Sequence, residues 1–242
     1  ETSRRVLQII SQVLRYAVFT GRTKHNIAAD LRGALRPRKT VHRAAVLEPE
    51  KVGQLLRDID AYEGYFPLVC ALKLAPLVFT RPTELRAARW KEFDLESGEW
   101  RIPAERMKMR RQHLVPLSRQ AISILRELQK YSGEGTYLFP SIRTEVRPIS
   151  DATMLNALRR MGYQKHEMSV HGFRSIASTL LNELGYNRDW IERQLAHGEQ
   201  NEVRAAYNYA EYLPERRKMM QAWADYLDGL RNAKRKGSGD TV

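Results

Sequence analysis

Apolar residues recur every three to four positions near the start of the chain, which is the period of an amphipathic helix. The apolar positions of this first helix are Val6, Ile9, Ile10, Val13, Leu14 and Ala17. Gly21 is expected to end the helix, and a shorter helical pattern runs over residues 27–35. A basic, proline-containing stretch at 36–43 is predicted to be an extended linker. Residues 1–40 are therefore predicted to be the C-terminal helical fragment of one domain plus the start of a linker.

Residues 41–230 show a more regular pattern, which predicts a second, mostly helical domain. Pro49 suits the first turn of a helix. Residues 65–79 are apolar on nearly every face, as in a buried helix. Further helical periods occupy 118–128, 150–160, 171–184, the residues after Asn187, and 214–230. The polar, basic residues 231–242 are predicted to be a disordered tail.

Three short stretches between these helices have the composition of strands. They are Trp90–Phe93, Glu99–Ile102 and His113–Pro116, connected through Ser97-Gly98 and residues 107–111. The fold class expected is mainly α with a small antiparallel β-sheet, an α+β domain.

The charge of the chain points to a polyanionic partner. Lys and Arg number 41 against 28 Asp and Glu, a formal net charge of +13. Nucleic acid is the first explanation, and an anionic membrane surface is the second. No basic helix with a dominant apolar face favours the membrane, and no apolar run is long enough to span one. The single cysteine, Cys70, is predicted to be a core residue, and the composition fits a reducing, intracellular compartment.

Several common catalytic motifs are missing from the sequence. It has no GxGxxG, P-loop, GxSxG, HExxH or EF-hand pattern. Its acidic residues are scattered, which argues against a carboxylate-bound two-metal nuclease. We therefore predict neither a metal site nor a cofactor.

Cationic residues stand instead at the boundaries of the predicted helices. Arg81 follows the buried helix, where a charge is costly unless it is paired or functional, and Glu84 is placed to pair with it. His171 and Arg174 are three residues apart on one helix face and could grip one phosphate. Taken singly, each feature also has an ordinary structural explanation.

Taken in order, the residues Arg81, Lys108, His171, Arg174, His197 and Tyr207 resemble the catalytic set of the tyrosine recombinases, also called the phage integrase family. The resemblance covers residues 45–230. Within it, the local amino-acid sequences at Glu84–Trp90 and Met219–Tyr226 are most similar to those of integrases of prophages and genomic islands. Many members carry a glycine shortly before the first arginine, where this chain has Phe79-Thr80.

The resemblance implies a tyrosine recombinase catalytic-domain fold and a role for each residue. Tyr207 would attack a phosphodiester and leave a 3′-phosphotyrosyl bond, without ATP or metal. Arg81 and Arg174 would clamp the non-bridging oxygens, and His197 would donate a hydrogen bond to them. Lys108 would protonate the 5′-oxygen, and His171 would assist removal of the tyrosine proton.

Spacing alone leaves the identity of the attacking tyrosine open, because Tyr209 and Tyr212 lie close to Tyr207 in the sequence. Residues two apart in a helix point about 200° apart, so Tyr207 and Tyr209 cannot both face the phosphate. Tyr207 lies ten residues after His197, which resembles the family spacing, and it is the residue we predict.

The resemblance also implies partners and a location. We expect double-stranded DNA at attachment sites, a homotetramer of the full-length protein on paired duplexes, a monomer for this chain alone, and a DNA-associated place in the bacterial cytoplasm. Residues 1–40 would be the end of a core-binding domain. The predicted phosphate contacts are Arg36, Arg38, Lys39 and Arg43 in the linker and Arg101, Arg106, Arg110 and Arg111 around the hairpin.

Three other functions remain open from the sequence. One is a structural or interaction protein with a basic surface. A non-catalytic DNA-binding module would explain the charge and the helices, but not the ordered catalytic set. A type IB topoisomerase would share the chemistry and the fold.

Overall fold

A computed structural model describes residues 2–31, 33–34, 44–197 and 212–233. The chain divides into two compact units, residues 1–42 and 43–242. In the first unit, α1 spans Thr2–Phe19. The predicted second helix over 27–35 is wrong, because the described residues of that range form a single 3₁₀ turn, Ile27–Ala29, followed by non-helical turns. The Asn26 side chain caps that turn by accepting from the Ala28 amide, and it also bonds to Ser11 of α1.

The second unit is built around a buried helix, as the sequence predicts. This helix, α3, spans Phe66–Val78 and packs against its neighbours α2, Pro49–Asp60, and α5, Arg119–Ser132. A short helix, α4 (Pro82–Arg86), follows it and was not predicted. Cys70 is buried in the core, as predicted, and desolvation raises the pKa of its thiol to about 11.

The predicted antiparallel sheet is confirmed, with one boundary corrected. It has the order β1-β2-β3, formed by Phe93–Asp94, Glu99–Ile102 and His113–Pro116. Trp90–Glu92 is a 3₁₀ turn and not the start of a strand. Trp90 is held there because its indole donates to the Ser132 carbonyl and its amide donates to the Thr136 carbonyl. A second hairpin, β4 (Pro140–Ser141) with β5 (Thr144–Pro148), was not predicted.

The later helices begin near the predicted residues. They are α6 (Asp151–Arg160), α7 (Gly172–Glu183), α8 (Arg188–Gln194) and α9 (Leu213–Asn232). Gly185 takes φ +80° after α7, and the Asn187 side chain caps α8. Trp223 of α9 is fully buried and donates its indole N–H to the Pro76 carbonyl. None of the helices in the described ranges is both long and apolar enough to cross a membrane.

Candidate active site

The C-terminal end of α8 is where the predicted arginines converge. Arg174 donates from Nη2 to the Leu195 carbonyl at 2.7 Å, and Arg81 donates from Nη2 to the Ala196 carbonyl at 3.0 Å. The last carbonyls of a helix lack intrahelical partners and carry partial negative charge, so they suit cationic donors. Ala196 itself has φ +49°, a left-handed conformation that is uncommon for alanine. One helix end therefore orients two guanidinium groups from separate elements.

Arg81 is fixed a second time by Glu84. Its amide donates to Glu84 Oε2 at 2.9 Å, and its Nη1 donates to Oε1 at 2.8 Å. Glu84 is buried in α4, so the pair is shielded from water. The predicted Arg81–Glu84 pair is confirmed, and it acts as a brace that sets the direction of the guanidinium.

Arg174 is the most buried of the predicted catalytic residues that the structure describes. It is only 3 % exposed, and its Nη1 donates to the Phe79 carbonyl at 2.9 Å. Desolvation, followed by repulsion from Arg81, lowers the pKa of Arg174 to about 10. The guanidinium is therefore still charged at neutral pH. Phe79 has φ 34°, so a non-glycine residue adopts the left-handed conformation at the position where the sequence departs from the family pattern.

His197 lies between Arg174 and Glu192. Its Nε2 is 3.1 Å from Arg174 Nη2, and its Nδ1 is 2.8 Å from Glu192 Oε2. Because a guanidinium only donates, Nε2 accepts and Nδ1 carries the proton in this arrangement. Donation from His197 to a phosphate would need a proton on Nε2 and release of Arg174 from it. A bound phosphate oxygen can accept hydrogen bonds from both groups.

The other predicted catalytic residues that the structure describes line a cavity of about 420 Å³. Arg81, Lys108 and His171 all line it. Lys108 is exposed in the loop between β2 and β3. His171 directly precedes α7, where Gly172 lets the chain approach residue 44, since a Cβ there would lie 2.7 Å from the Ala44 carbonyl oxygen.

The sequence predicted that His171 and Arg174 grip one phosphate together, but their side chains have different surroundings in the structure. His171 lies on the cavity wall, whereas Arg174 reaches the end of α8. Arg81 belongs to both groups and connects them. Tyr207 and the linker residues Arg36, Arg38, Lys39 and Arg43 lie outside the described residues.

The hairpin arginines differ from one another in the structure. Arg110 and Arg111 are exposed, and Arg101 is exposed with an ion pair to Glu99 at 2.6 Å. Arg106 does not fit the predicted phosphate contact. It is mostly buried, pairs with Glu92, and donates to the Glu84 carbonyl at 2.6 Å, so its contacts give it a structural role.

A buried polar network behind the site was not predicted. Arg216 of α9 donates to Gln194 Oε1 from Nη2 at 2.7 Å and also to the Leu114 carbonyl. His113 of β3 contacts the Gln194 carbonyl through Nε2 at 3.1 Å. The network ties β3 and α9 to the helix end that holds both arginines. The available signal was that Arg216 falls on the apolar stripe of α9, three residues before Met219.

Among the described residues, no group of three or more His, Cys, Asp and Glu side chains could hold a metal ion. The described site instead consists of cationic and donor groups from separate elements, in two groups that share Arg81. Such a set defines a site for a phosphate group or another oxyanion.

Comparisons with known proteins identify the family. Residues 45–213 match the phage integrase family, and residues 1–34 match the phage integrase central domain. The chain belongs to the phage integrase family, which confirms the resemblance read from the sequence.

Relatives and solved structures agree with this family and this fold. The integrase of Enterobacteria phage P4 is 43% identical over 96% of this chain and 56% of its own length. Prophage integrase IntA of Escherichia coli K12 is 41% identical over 94% and 54%. The chain thus spans little more than half the length of these relatives. A lambda integrase tetramer bound to a Holliday junction has a TM-score of 0.61 at 20% identity, covering 81% of this chain and 58% of that one. The Tn1549 transposon integrase has a TM-score of 0.64 at 11% identity, covering 89% and 77%.

Proposed function

We propose that this chain is the catalytic part of a site-specific DNA recombinase, which cleaves and rejoins strands through a 3′-phosphotyrosyl intermediate to integrate or excise a mobile element. The observation that carries this proposal is the convergence of Arg81, Arg174 and His197 at the end of α8. A phosphoryl transition state spreads negative charge over its non-bridging oxygens, so positioned donors are the main catalytic requirement.

The proposed cleavage step assigns one atom to each task. The Tyr207 oxygen attacks phosphorus while the bond from phosphorus to the 5′-oxygen breaks. His171 accepts the tyrosine proton, and Lys108 donates a proton to the leaving 5′-oxygen. Rejoining is the same step in reverse, with the 5′-hydroxyl as the nucleophile. The phosphodiester energy is kept in the tyrosyl bond, so no ATP is needed.

The two arginines and His197 act on the non-bridging oxygens. Arg81 keeps one contact to a main-chain carbonyl and Arg174 keeps two, and further N–H groups of both guanidinium groups remain for phosphate. His197 would turn its Nε2 from Arg174 to the same oxygen. The rigid carbonyl contacts hold the donors in place before DNA binds, which avoids reorganisation in the transition state.

The partner proposed is double-stranded DNA. It is supported by the net charge of +13 and by the DNA-bound structures of similar fold. We propose that residues 1–40 are the end of a core-binding domain, 41–230 the catalytic domain and 231–242 a basic tail. A homotetramer on paired duplexes is proposed for the full-length protein, because a lambda integrase of this fold is a tetramer on a Holliday junction.

Covalent trapping tests this function directly. The chain is incubated with a library of nicked duplexes whose core is randomised, so that a cleaved strand loses the short fragment needed for rejoining. We expect an SDS-resistant protein–DNA adduct whose sequenced strand defines the preferred site. A folded chain that binds DNA but forms no adduct would be a binding module. Relaxation of a supercoiled plasmid without sequence preference would indicate a topoisomerase.

A further inference from the structure

One cation in the active-site cavity is not used by the proposed mechanism. Among the described residues that line this cavity, the cationic side chains besides His171 are Arg81, Lys108 and Arg86. Arg86 is the last residue of α4, the helix that begins next to Arg81. Its side chain is 24 % exposed, so it is neither a core residue nor a freely solvated one.

The contacts of Arg86 hold it while leaving one edge available. Nη1 donates to the Ile149 carbonyl at 2.9 Å, and Nε lies 2.6 Å from Asp151 Oδ1. That ion pair is poorly aligned, because the buried Nε makes no hydrogen bond within the described residues. A guanidinium has five N–H donors in a fixed fork, so Nη2 retains donors for a ligand. Asp151 is 78 % exposed and lines the same cavity, so it lowers the positive potential there.

We propose that Arg86 binds a DNA backbone phosphate next to the one that is cleaved, and that Asp151 competes with that phosphate for Arg86. The proposal rests on the proposed function. Phosphates follow one another about every 3.4 Å of helix axis along a strand, so a strand whose scissile phosphate sits at Arg81 carries neighbouring phosphates that another cation of the cavity wall could bind. A volume of about 420 Å³ lies in the range of ligand pockets, about 300–1,000 Å³.

The other reading of these contacts is a structural brace. Arg86 connects α4 to the residues around the start of α6, and that connection alone could explain the arrangement. The two explanations predict opposite changes in DNA affinity when Asp151 is replaced. A brace is weakened by loss of either partner, whereas a phosphate contact is weakened by loss of Arg86 and strengthened by loss of Asp151.

The test measures the salt dependence of DNA binding. Fluorescence anisotropy with a labelled 30-base-pair duplex of mixed sequence, over about 50–200 mM salt, gives the slope of log K against log salt for each variant. Arg86→Gln keeps a donor for the Ile149 carbonyl but removes the charge. We expect it to lower the slope by about 0.9, the value for one phosphate. Arg86→Lys should keep the slope, and Asp151→Asn should bind about two- to fivefold tighter.

A matched ion pair elsewhere provides the control. Arg126 and Glu96 are 3.4 Å apart, both are exposed, and neither lines the cavity. Arg126→Gln and Glu96→Gln should change the slope and the affinity much less than the Arg86 and Asp151 variants. Thermal unfolding of every variant shows whether folding is affected.

Two outcomes would overturn the proposal. One is an unchanged slope for folded Arg86→Gln; the other is weaker or equal binding by Asp151→Asn, which stays informative even where the arginine variant does not fold. These results are separate from the proposed recombinase function. A wild-type chain that forms the covalent adduct with an unchanged Arg86→Gln slope loses only this inference.

Discussion

Arg81 and Arg174 are oriented mainly by main-chain carbonyls and not by surface carboxylates. Carbonyl oxygens are neutral, so they fix the guanidinium groups without cancelling their charge. The exception is Glu84, which holds one edge of Arg81 from a buried position. At the scale of single residues, the two guanidinium groups are therefore held in place, with their charge retained, before a phosphate arrives.

Lys108 is the residue whose proposed role can be isolated chemically. Lys108→Ala should slow strand cleavage, because the 5′-oxygen would leave without its proton donor. A substrate with sulfur at the 5′-bridging position should regain much of that rate, since a thiolate leaves without protonation. Single-turnover cleavage rates on both substrates measure the effect. Equal losses on the two substrates would show that Lys108 is not the acid.

Tyr207 is tested by removal of one oxygen atom. Tyr207→Phe should abolish the covalent adduct while folding and DNA binding persist, because the side chain keeps its size. Tyr209→Phe and Tyr212→Phe are the matched controls and should still form the adduct. Mass spectrometry of the trapped complex then locates the modified residue. DNA attached to Tyr209 would make the assignment wrong but leave the recombinase function intact.

Individual elements show which features a sequence can predict. The long helices and two of the three strands of the first sheet follow from apolar periodicity, as at Glu99–Ile102, because one face of each is buried. The 3₁₀ turn at Trp90–Glu92 depends on hydrogen bonds to residues 132 and 136, which local pattern does not contain. The β4–β5 hairpin is largely exposed, with Ile142 and Val146 facing solvent, so it has no alternating burial to detect.

The types and order of the candidate site residues could be read from the sequence, but the contacts that orient their side chains could not. The motif pointed to Arg81 and Arg174, yet their common anchor at residues 195 and 196 required the folded structure. Arg216 was missed because its only sequence signal is its place on the apolar stripe of α9, and the segment around it is rich in charged residues.

The end of α3 carries a conformational conflict that can be measured. Phe79 is left-handed, which costs about 1–2 kcal/mol for a non-glycine residue, but its buried ring packs edge-to-face with Trp223. Truncating a buried phenylalanine costs about 3–5 kcal/mol, which is the larger quantity. Phe79→Gly should therefore destabilise the fold by about 1–4 kcal/mol in urea denaturation despite the relief of strain.

Arg110 is the control for that experiment, since it is also left-handed but exposed. Arg110→Gly should change the unfolding free energy by less than about 1 kcal/mol. If Phe79→Gly were neutral or stabilising, backbone strain would outweigh the ring packing at this helix end.

The junction of β3 and α8 should be sensitive to acid. Burial, followed by the charge of Arg216 and then of Arg193 and Arg174, lowers the pKa of His113 to about 3. The unfolded chain takes up the proton near pH 6.5 and the folded one does not, so the stabilisation is complete above pH 6.5 and is lost as pH falls. Between pH 7 and pH 5 this group alone should remove about 2 kcal/mol.

His113→Gln isolates this contribution, because glutamine can still donate to the Gln194 carbonyl. Urea denaturation at pH 7 and pH 5 should show a smaller loss of stability for the variant than for the wild type, by about 2 kcal/mol. An equal loss in both proteins would mean that His113 takes up a proton in the folded state within this range.

At the scale of the whole molecule, the positively charged side chains fall into two groups, one in internal ion pairs and one exposed to solvent. Some cations are neutralised by internal ion pairs, as Arg106 is by Glu92. Others, such as Lys108, Arg110 and Arg111, remain exposed beside the cavity or on the loop that contributes to it. The excess charge is thus available to a polyanion, and we propose that the converging groups of the site act on a single phosphate of it.

Cleavage by the whole chain should therefore proceed in the presence of EDTA. In two-metal enzymes the ions neutralise the transferring phosphate and activate the attacking oxygen. Here Arg81, Arg174 and His197 are positioned for the first task, and proton transfer through His171 is proposed for the second.

Adduct formation is measured with EDTA and with Mg²⁺ at equal ionic strength, because salt alone weakens DNA binding. A magnesium-dependent nuclease in the same buffer confirms chelation, and we expect adduct rates within about threefold of each other, a difference of less than about 1 kcal/mol in barrier height. A tenfold or greater loss in EDTA that Mg²⁺ restores would contradict the proposed mechanism.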